Sequence, residues 1–148
     1  VYLKEAIPGL KVILIDPEGS GLCSYFHTGV FKTEGKSITE GIGIMRLVAN
    51  FAKAQVDDAF TLPDQDIVTV AQYVRNHDGI VLGSSSALNV TGAFMTAVKN
   101  GPGKRIVTFN CDLGERSYSK LYNSAYLKTR DLDDTQTDIR LLIKKYSK

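Results

Sequence analysis

The chain has 148 residues, 43% hydrophobic and 23% charged, a composition that suits one soluble domain with a sizeable core. Its 18 basic and 16 acidic side chains leave a formal net charge of +2, so there is no electrostatic case for nucleic acid, and no apolar run approaches the ~20 residues that span a bilayer. Two cysteines far apart, Cys23 and Cys111, argue against a disulfide framework and for a reducing compartment. His27 and His77 lack metal-ligand spacing from either, which speaks against a structural zinc site.

Val1 to Glu5 reads as the middle or end of a helix without its start, so a targeting segment would be invisible. A helix over Tyr2–Ala6 stops at Pro8-Gly9. Lys11 to Asp16 is a short β-rich apolar run, expected to be a buried strand, and residues 17–21 form a loop. Phe31 to Gly43 is polar and glycine-rich without a sustained period and is expected to be a loop. Asp58 to Leu62 suggests a further strand. Asp64 to His77 is the clearest helix: Ile67, Val70, Ala71 and Val74 make one apolar stripe, with Asp64 as N-cap after Pro63 and Gly79 just past the end.

Ile80-Val81-Leu82 reads as a short buried strand, and Ala87 to Asn100 as the next helix, closed by Gly101-Pro102-Gly103. Arg105 to Phe109 is expected to be a strand that runs into a polar loop, 110–116. Asp131 to Asp134 is expected to be a solvated cap before a last amphipathic helix, Asp138 to Lys148, with Ile139, Leu142 and Ile143 on one side. Short apolar strands alternating with helices argue for an α/β fold with a mostly parallel sheet. In such sheets ligands sit beyond the carboxyl ends of the strands. Gly83-Ser84-Ser85-Ser86 and Cys111-Asp112-Leu113-Gly114 both follow expected strands, so they are placed on one rim.

The serine turn is the most informative segment. A glycine lets backbone approach a ligand, and the serines that follow can cap the helix or bind a ligand atom. Taken alone, capping and turning explain them more readily than a ligand does. No Gly-x-Ser-x-Gly nucleophile elbow is present. Gly41-Ile42-Gly43 suggests backbone near a ligand or a hinge, and ordinary turn geometry explains it about as well.

The pieces in order carry a more specific signal. Tyr2-Leu3-Lys4-Glu5, Asp16-Pro17-Glu18-Gly19-Ser20, Glu40-Gly41-Ile42-Gly43, Val56-Asp57-Asp58-Ala59, Gly83-Ser84-Ser85-Ser86-Ala87, Cys111-Asp112 through Gly114 to Arg116, and Leu121-Tyr122-Asn123 together resemble the C-terminal part of a cysteine synthase (O-acetylserine sulfhydrylase). That family belongs to the fold-type-II pyridoxal-phosphate enzymes, with cystathionine β-synthase as a relative, and the likeness is closest to the fungal mitochondrial branch. The resemblance covers residues 1–128, read as part of the larger, three-layer domain. Residues 129–148 are read as a C-terminal extension with an amphipathic helix.

The resemblance implies pyridoxal 5′-phosphate as cofactor and β-replacement as reaction: O-acetylserine loses acetate and sulfide adds to give L-cysteine. It implies that Ser85 hydrogen-bonds the pyridine nitrogen, that Asp112 lies close to the ring, and that Gly41, Ile42 and Gly43 line the substrate side. A neutral serine leaves the ring nitrogen largely unprotonated and the ring a weaker electron sink than an aspartate would, which suits elimination followed by addition. The Schiff-base lysine, the Asn-containing substrate loop and the phosphate loop of the family match no segment here. No lysine of this chain is therefore assigned as catalytic, and the remaining, N-terminal part of the same enzyme is an expected partner. The 148 residues alone are expected to be inactive. A homodimer and a mitochondrial, otherwise cytoplasmic, location follow from the resemblance. Membrane attachment is left open. Two departures bear on substrate: Ile44-Met45-Arg46 follows Gly43 in place of a Phe-Ile-Pro type sequence, and Ser117 precedes Tyr118 where relatives have tyrosine directly after the arginine. They leave open an altered β-elimination activity or a non-catalytic binding or regulatory module.

Overall fold

The computed structural model describes residues 2–147, so Val1 and Lys148, at the ends of the expected first and last helices, lie outside it. The chain divides into two compact units: residues up to Ser37 with Ile42–Thr61, and Ile38–Gly41 with residues from Leu62 onward.

The first unit holds α1 (Tyr2–Ala6), β1 (Ile13–Pro17), α2 (Leu22–Thr28), α3 (Ala49–Ala52) and β2 (Asp58–Leu62, whose last residue begins the second unit). β1 and β2 pair in a two-stranded parallel sheet. Asp16, 1% exposed near the end of β1, accepts the Cys23 N–H at 2.9 Å and so satisfies one orphan donor in the first turn of α2. α2 ends at Gly29 in the left-handed conformation. This helix is absent from the expectations above because Leu22–Thr28 has neither an N-cap side chain nor an apolar period long enough to read. The Asp57 carboxylate accepts the Val12 N–H at 2.7 Å and pairs with Lys4 at 2.7 Å. That hydrogen bond to Lys4, with the one from Val12, holds Asp57 below the usual carboxylate range.

The second unit holds α4 (Asp64–Asp78), α5 (Ser84–Asn100), a 3-10 turn (Gly114–Ser117), α6 (Ser124–Lys128) and α7 (Ile139–Tyr146). α4, α5 and α7 pack against one another. The expected stripe of α4 is buried at Ile67, Val70 and Ala71, and Val68, Thr69 and Gln72 are buried as well, so the first half of the helix is enclosed all round. Ala87, Leu88 and Met95 from α5, with Leu82, Leu121, Leu127 and Leu142, complete the core. Each large apolar side chain buried in this way contributes about 1.5–3 kcal/mol.

Several local expectations are corrected. Asp64 is not the N-cap of α4. Pro63 occupies that position without a side-chain cap, and Asp64 in the first turn accepts the Ile38 N–H at 2.8 Å. That bond ties the helix start to a loop distant in sequence. Residues 131–134 do not cap the last helix. Asp138 does, accepting the Arg140 N–H at 3.0 Å, while Asp133 folds onto Thr135. Ile80–Leu82 and Arg105–Phe109 are not regular strands: Leu82 makes one antiparallel bridge with Leu113, and Val107 and Phe109 are 80% and 72% exposed. A regular strand needs a continuous hydrogen-bonded neighbour; Ile80–Leu82 has only this single bridge, and residues 105–109 lie in no strand or bridge among the described residues. No helix among the described residues is long and apolar enough to cross a membrane.

Candidate active site at the first turn of α5

The expected rim forms. The backbone of residues 81–83 runs beside that of 112–114, with Gly83 N–H donating to the Asp112 carbonyl at 3.1 Å and Gly114 N–H to the Val81 carbonyl at 2.8 Å. Two glycines permit the approach. A Cβ on Gly83 would fall 2.0 Å from Asp112 Oδ1, and one on Gly114 would fall 2.2 Å from Val81 Cγ1. Gly83 has φ −67°, so space, not backbone conformation, demands glycine here.

The three serines are the first residues of α5, not its cap. Gly83 holds the N-cap position and brings no side chain to cap the helix. Capping therefore does not account for them, and their hydroxyls are committed to different degrees. Ser86 Oγ donates to the Asp112 carbonyl at 2.8 Å and accepts the Asp112 N–H at 3.0 Å, which pins the backbone of Asp112 to the helix. Ser84 Oγ accepts the Glu40 N–H at 2.9 Å. Ser85, 7% exposed, donates only over 3.3 Å to Asp112 Oδ1. An O–H···O bond is usually about 2.7–2.8 Å long, so this contact is weak and leaves the Ser85 proton open to a better acceptor. The orphan backbone donors of the α5 N-terminus and the Asp112 carboxylate surround it.

Of the other expected site residues, Gly41 shares the second unit with Ser85 and is joined to α5 through the Glu40–Ser84 hydrogen bond. Its φ is +72° and a Cβ would meet nothing within 4 Å, so glycine serves conformation there. Ile42 and Gly43 belong to the first unit, where Gly43 at φ +89° lies against Pro17. Two residues that the sequence named without a site role also reach the rim. Ser117, 3% exposed, accepts the Ser84 N–H at 3.1 Å. Tyr122 donates its hydroxyl to the Leu82 carbonyl at 2.8 Å under the Arg75 guanidinium, and burial pushes its phenol up to about 12. Both contacts span more than thirty residues, beyond any local pattern. Cys23 and Cys111 are free thiols.

Fold and rim together are those of part of an α/β domain with a candidate ligand site at the start of a helix. The family description "pyridoxal-phosphate dependent enzyme" matches residues 1–112. The cysteine synthase of Dictyostelium discoideum is 44% identical over 136 residues, covering 85% of this chain and 36% of that protein. Cysteine synthase 2 of Schizosaccharomyces pombe is 41% identical over 144 residues, covering 88% and 36%. Among solved structures, the O-acetylserine-dependent cystathionine β-synthase of Helicobacter pylori superimposes with a TM-score of 0.68 at 28% identity, over 80% of this chain and 37% of that one. The chain belongs to the pyridoxal-phosphate-dependent enzyme family, and its fold is part of the fold-type-II architecture of the cysteine synthases. It spans about a third of the length of the relatives it matches.

Proposed function

We propose that this chain is part of an enzyme that makes L-cysteine from O-acetylserine and sulfide by β-replacement. Pyridoxal phosphate supplies the electron sink that lets the β-substituent leave and be replaced. The observation that carries the site assignment is the unequal commitment of the three serines. Ser84 and Ser86 are held at 2.8–2.9 Å by backbone groups, whereas Ser85 makes only a 3.3 Å contact. A weakly engaged, buried, neutral donor fits an unprotonated ring nitrogen. Such a nitrogen accepts a hydrogen bond, and a serine hydroxyl donates one without giving up its proton as a carboxylic acid would.

In this reading Ser85 donates to the ring nitrogen and Asp112 stands beside the ring, its backbone held by Ser86. Asp112 Oδ1 then keeps the 3.2 Å contact from Ser86 when Ser85 turns away. The Gly41-Ile42-Gly43 segment lines the substrate side. The catalytic lysine and the phosphate-binding loop come from the remaining, N-terminal part of the same enzyme. Residues 1–128 form the C-terminal part of the cofactor domain and 129–148 an extension to it. The active species is a homodimer by analogy of fold. The location is mitochondrial, a reading supported by one relative, 34% identical, that is provisionally named a mitochondrial cysteine synthase.

The test is turnover by the full-length protein loaded with cofactor, against a panel of O-acetylserine, serine, threonine and cysteine. Cysteine formed from O-acetylserine plus sulfide, faster than pyruvate or sulfide is released from the other three, is the expected result. Faster elimination from serine, threonine or cysteine moves the assignment to a lyase. No turnover of any of them, with no cofactor absorbance band, overturns it.

A further inference from the structure

The Ser84 hydroxyl has no part in the cofactor contacts above, yet it is 5% exposed and lies at the start of α5, one residue before Ser85. It takes the Glu40 N–H at 2.9 Å, and the backbone N–H of the same serine goes to Ser117 Oγ at 3.1 Å. Ser117 ends the 3-10 turn that follows Asp112 and is itself buried. Three residues further on, Lys120 pairs with the Glu40 carboxylate. At the other end of the loop the Asp64 carboxylate holds the Ile38 N–H at 2.8 Å. The short segment 38–41 is thus tied down by α4 on one side and by α5 with the post-Asp112 turn on the other. Its last member, Gly41, is exposed and adopts a left-handed conformation.

We propose that Ser84 is a positioning residue: its hydroxyl clamps the Glu40–Gly41 segment to the first turn of α5, and so sets the seat of the amino-acid substrate relative to the group held by Ser85. The clamp rests on the β-replacement reading for its substrate, and on geometry alone for its existence. Ser84 and Ser85 are adjacent on one helical turn, so a displacement of the loop is measured directly against the cofactor-facing hydroxyl. Without an acceptor at Ser84 the Glu40 N–H turns to water, and the tie between this segment and the first turn of α5 is lost.

Two readouts on the full-length protein test this. The first needs no substrate. Amide hydrogen exchange at Glu40 is expected to be roughly tenfold faster in Ser84→Ala than in wild type, with α5 unchanged and Ser84→Thr close to wild type. The second is kinetic. Ser84→Ala is expected to raise KM for O-acetylserine about fivefold, the scale of one hydrogen bond, with kcat within about twofold and the cofactor absorbance band unmoved. Should the alanine variant not fold, the isosteric pair Ser84→Thr and Ser84→Val gives the same contrast. Unchanged Glu40 exchange overturns the clamp. A shifted cofactor band, or kcat falling with KM untouched, overturns its role in seating the substrate. A wild-type protein that ignores O-acetylserine sinks the functional reading instead, and the exchange result still decides the clamp.

Discussion

Two carboxylates of the second unit sit in polar clusters built on opposite plans. Asp66, 5% exposed in the first turn of α4, takes Lys145 at 2.6 Å and the Tyr146 hydroxyl from α7 on a single oxygen. Beside it Gln65 accepts the Asp133 N–H and donates to the Asp133 carbonyl, both at 2.8 Å. This cluster is closed: its donors and acceptors answer one another, and through Asp133, Lys145 and Tyr146 it fastens the C-terminal segment to α4. Asp112, by contrast, draws the Ser85 and Ser86 hydroxyls only at 3.3 and 3.2 Å, while its backbone is firmly held. The frame is rigid there and the side-chain bonds are loose. A polar cluster that stabilises the fold spends its short bonds on itself. The one proposed to serve a ligand spends them on the frame and holds the Ser85 hydroxyl loosely.

The largest expected effect comes from changing that hydroxyl. Ser85→Asp introduces a second carboxylate beside Asp112 and a group able to hold a proton on a ring nitrogen. Turnover of O-acetylserine should fall on the order of 100-fold, the scale of losing one well-placed donor, with a moved cofactor band. Wild-type rates in this variant would erase the distinction between the clusters. Next, Gly83→Ala puts a methyl 2.0 Å from Asp112 Oδ1 and must displace the carboxylate or the backbone. Such overpacking costs about 1–3 kcal/mol, readable in chemical denaturation, with a weakened affinity for pyridoxal phosphate alongside. Asp66→Ala breaks the closed cluster. It strips Tyr146 of its buried acceptor and should lower stability by about 1–3 kcal/mol while leaving KM for O-acetylserine unchanged. A stable variant with altered KM would contradict the division of labour drawn here.

The smallest effect is on alkaline titration. Burial raises the Tyr122 phenol to about 12, and burial together with the bond to Asp66 raises Tyr146 further. Both are favoured in the protonated form by the fold. Their contribution is complete below about pH 10, where free tyrosine ionises, and is lost as pH climbs through the raised values. Ultraviolet titration should show two of the seven tyrosines ionising late, and Tyr122→Phe should remove one of them. Seven phenols titrating together near pH 10 would contradict the burial.

Much of this site was legible from sequence. Glycine followed by serines at the start of a helix, with Cys111-Asp112 after a second extended segment, is enough to place the two segments together, whereas only the family resemblance singles out Ser85. The family resemblance supplied its chemistry. Less legible were bonds between residues far apart in the chain. Nothing local in Gln65-Asp66 marks them as the anchor for residues more than sixty positions on. Ser117, read from sequence only as a departure beside the substrate region, turns out to accept a backbone donor at the α5 terminus. The apolar runs at Ile80–Leu82 and Arg105–Phe109 were read as strands because their composition is β-like, but pairing is a property of neighbours, which composition does not contain. The cap assignments failed for a related reason: Asp64 has the right residue type, but Pro63 holds the cap position and the Asp64 carboxylate takes a distant amide.

The central claim is that Ser85 lends its hydroxyl to a neutral ring nitrogen, and the ring nitrogen itself reports on it. The full-length protein should be loaded with pyridoxal phosphate carrying nitrogen-15 in the ring, and the nitrogen chemical shift recorded for wild type and for Ser85→Asp. The account predicts an unprotonated, hydrogen-bonded nitrogen in the wild type and a protonated one in the variant. A wild-type nitrogen already protonated, or one unmoved by the substitution, would contradict it.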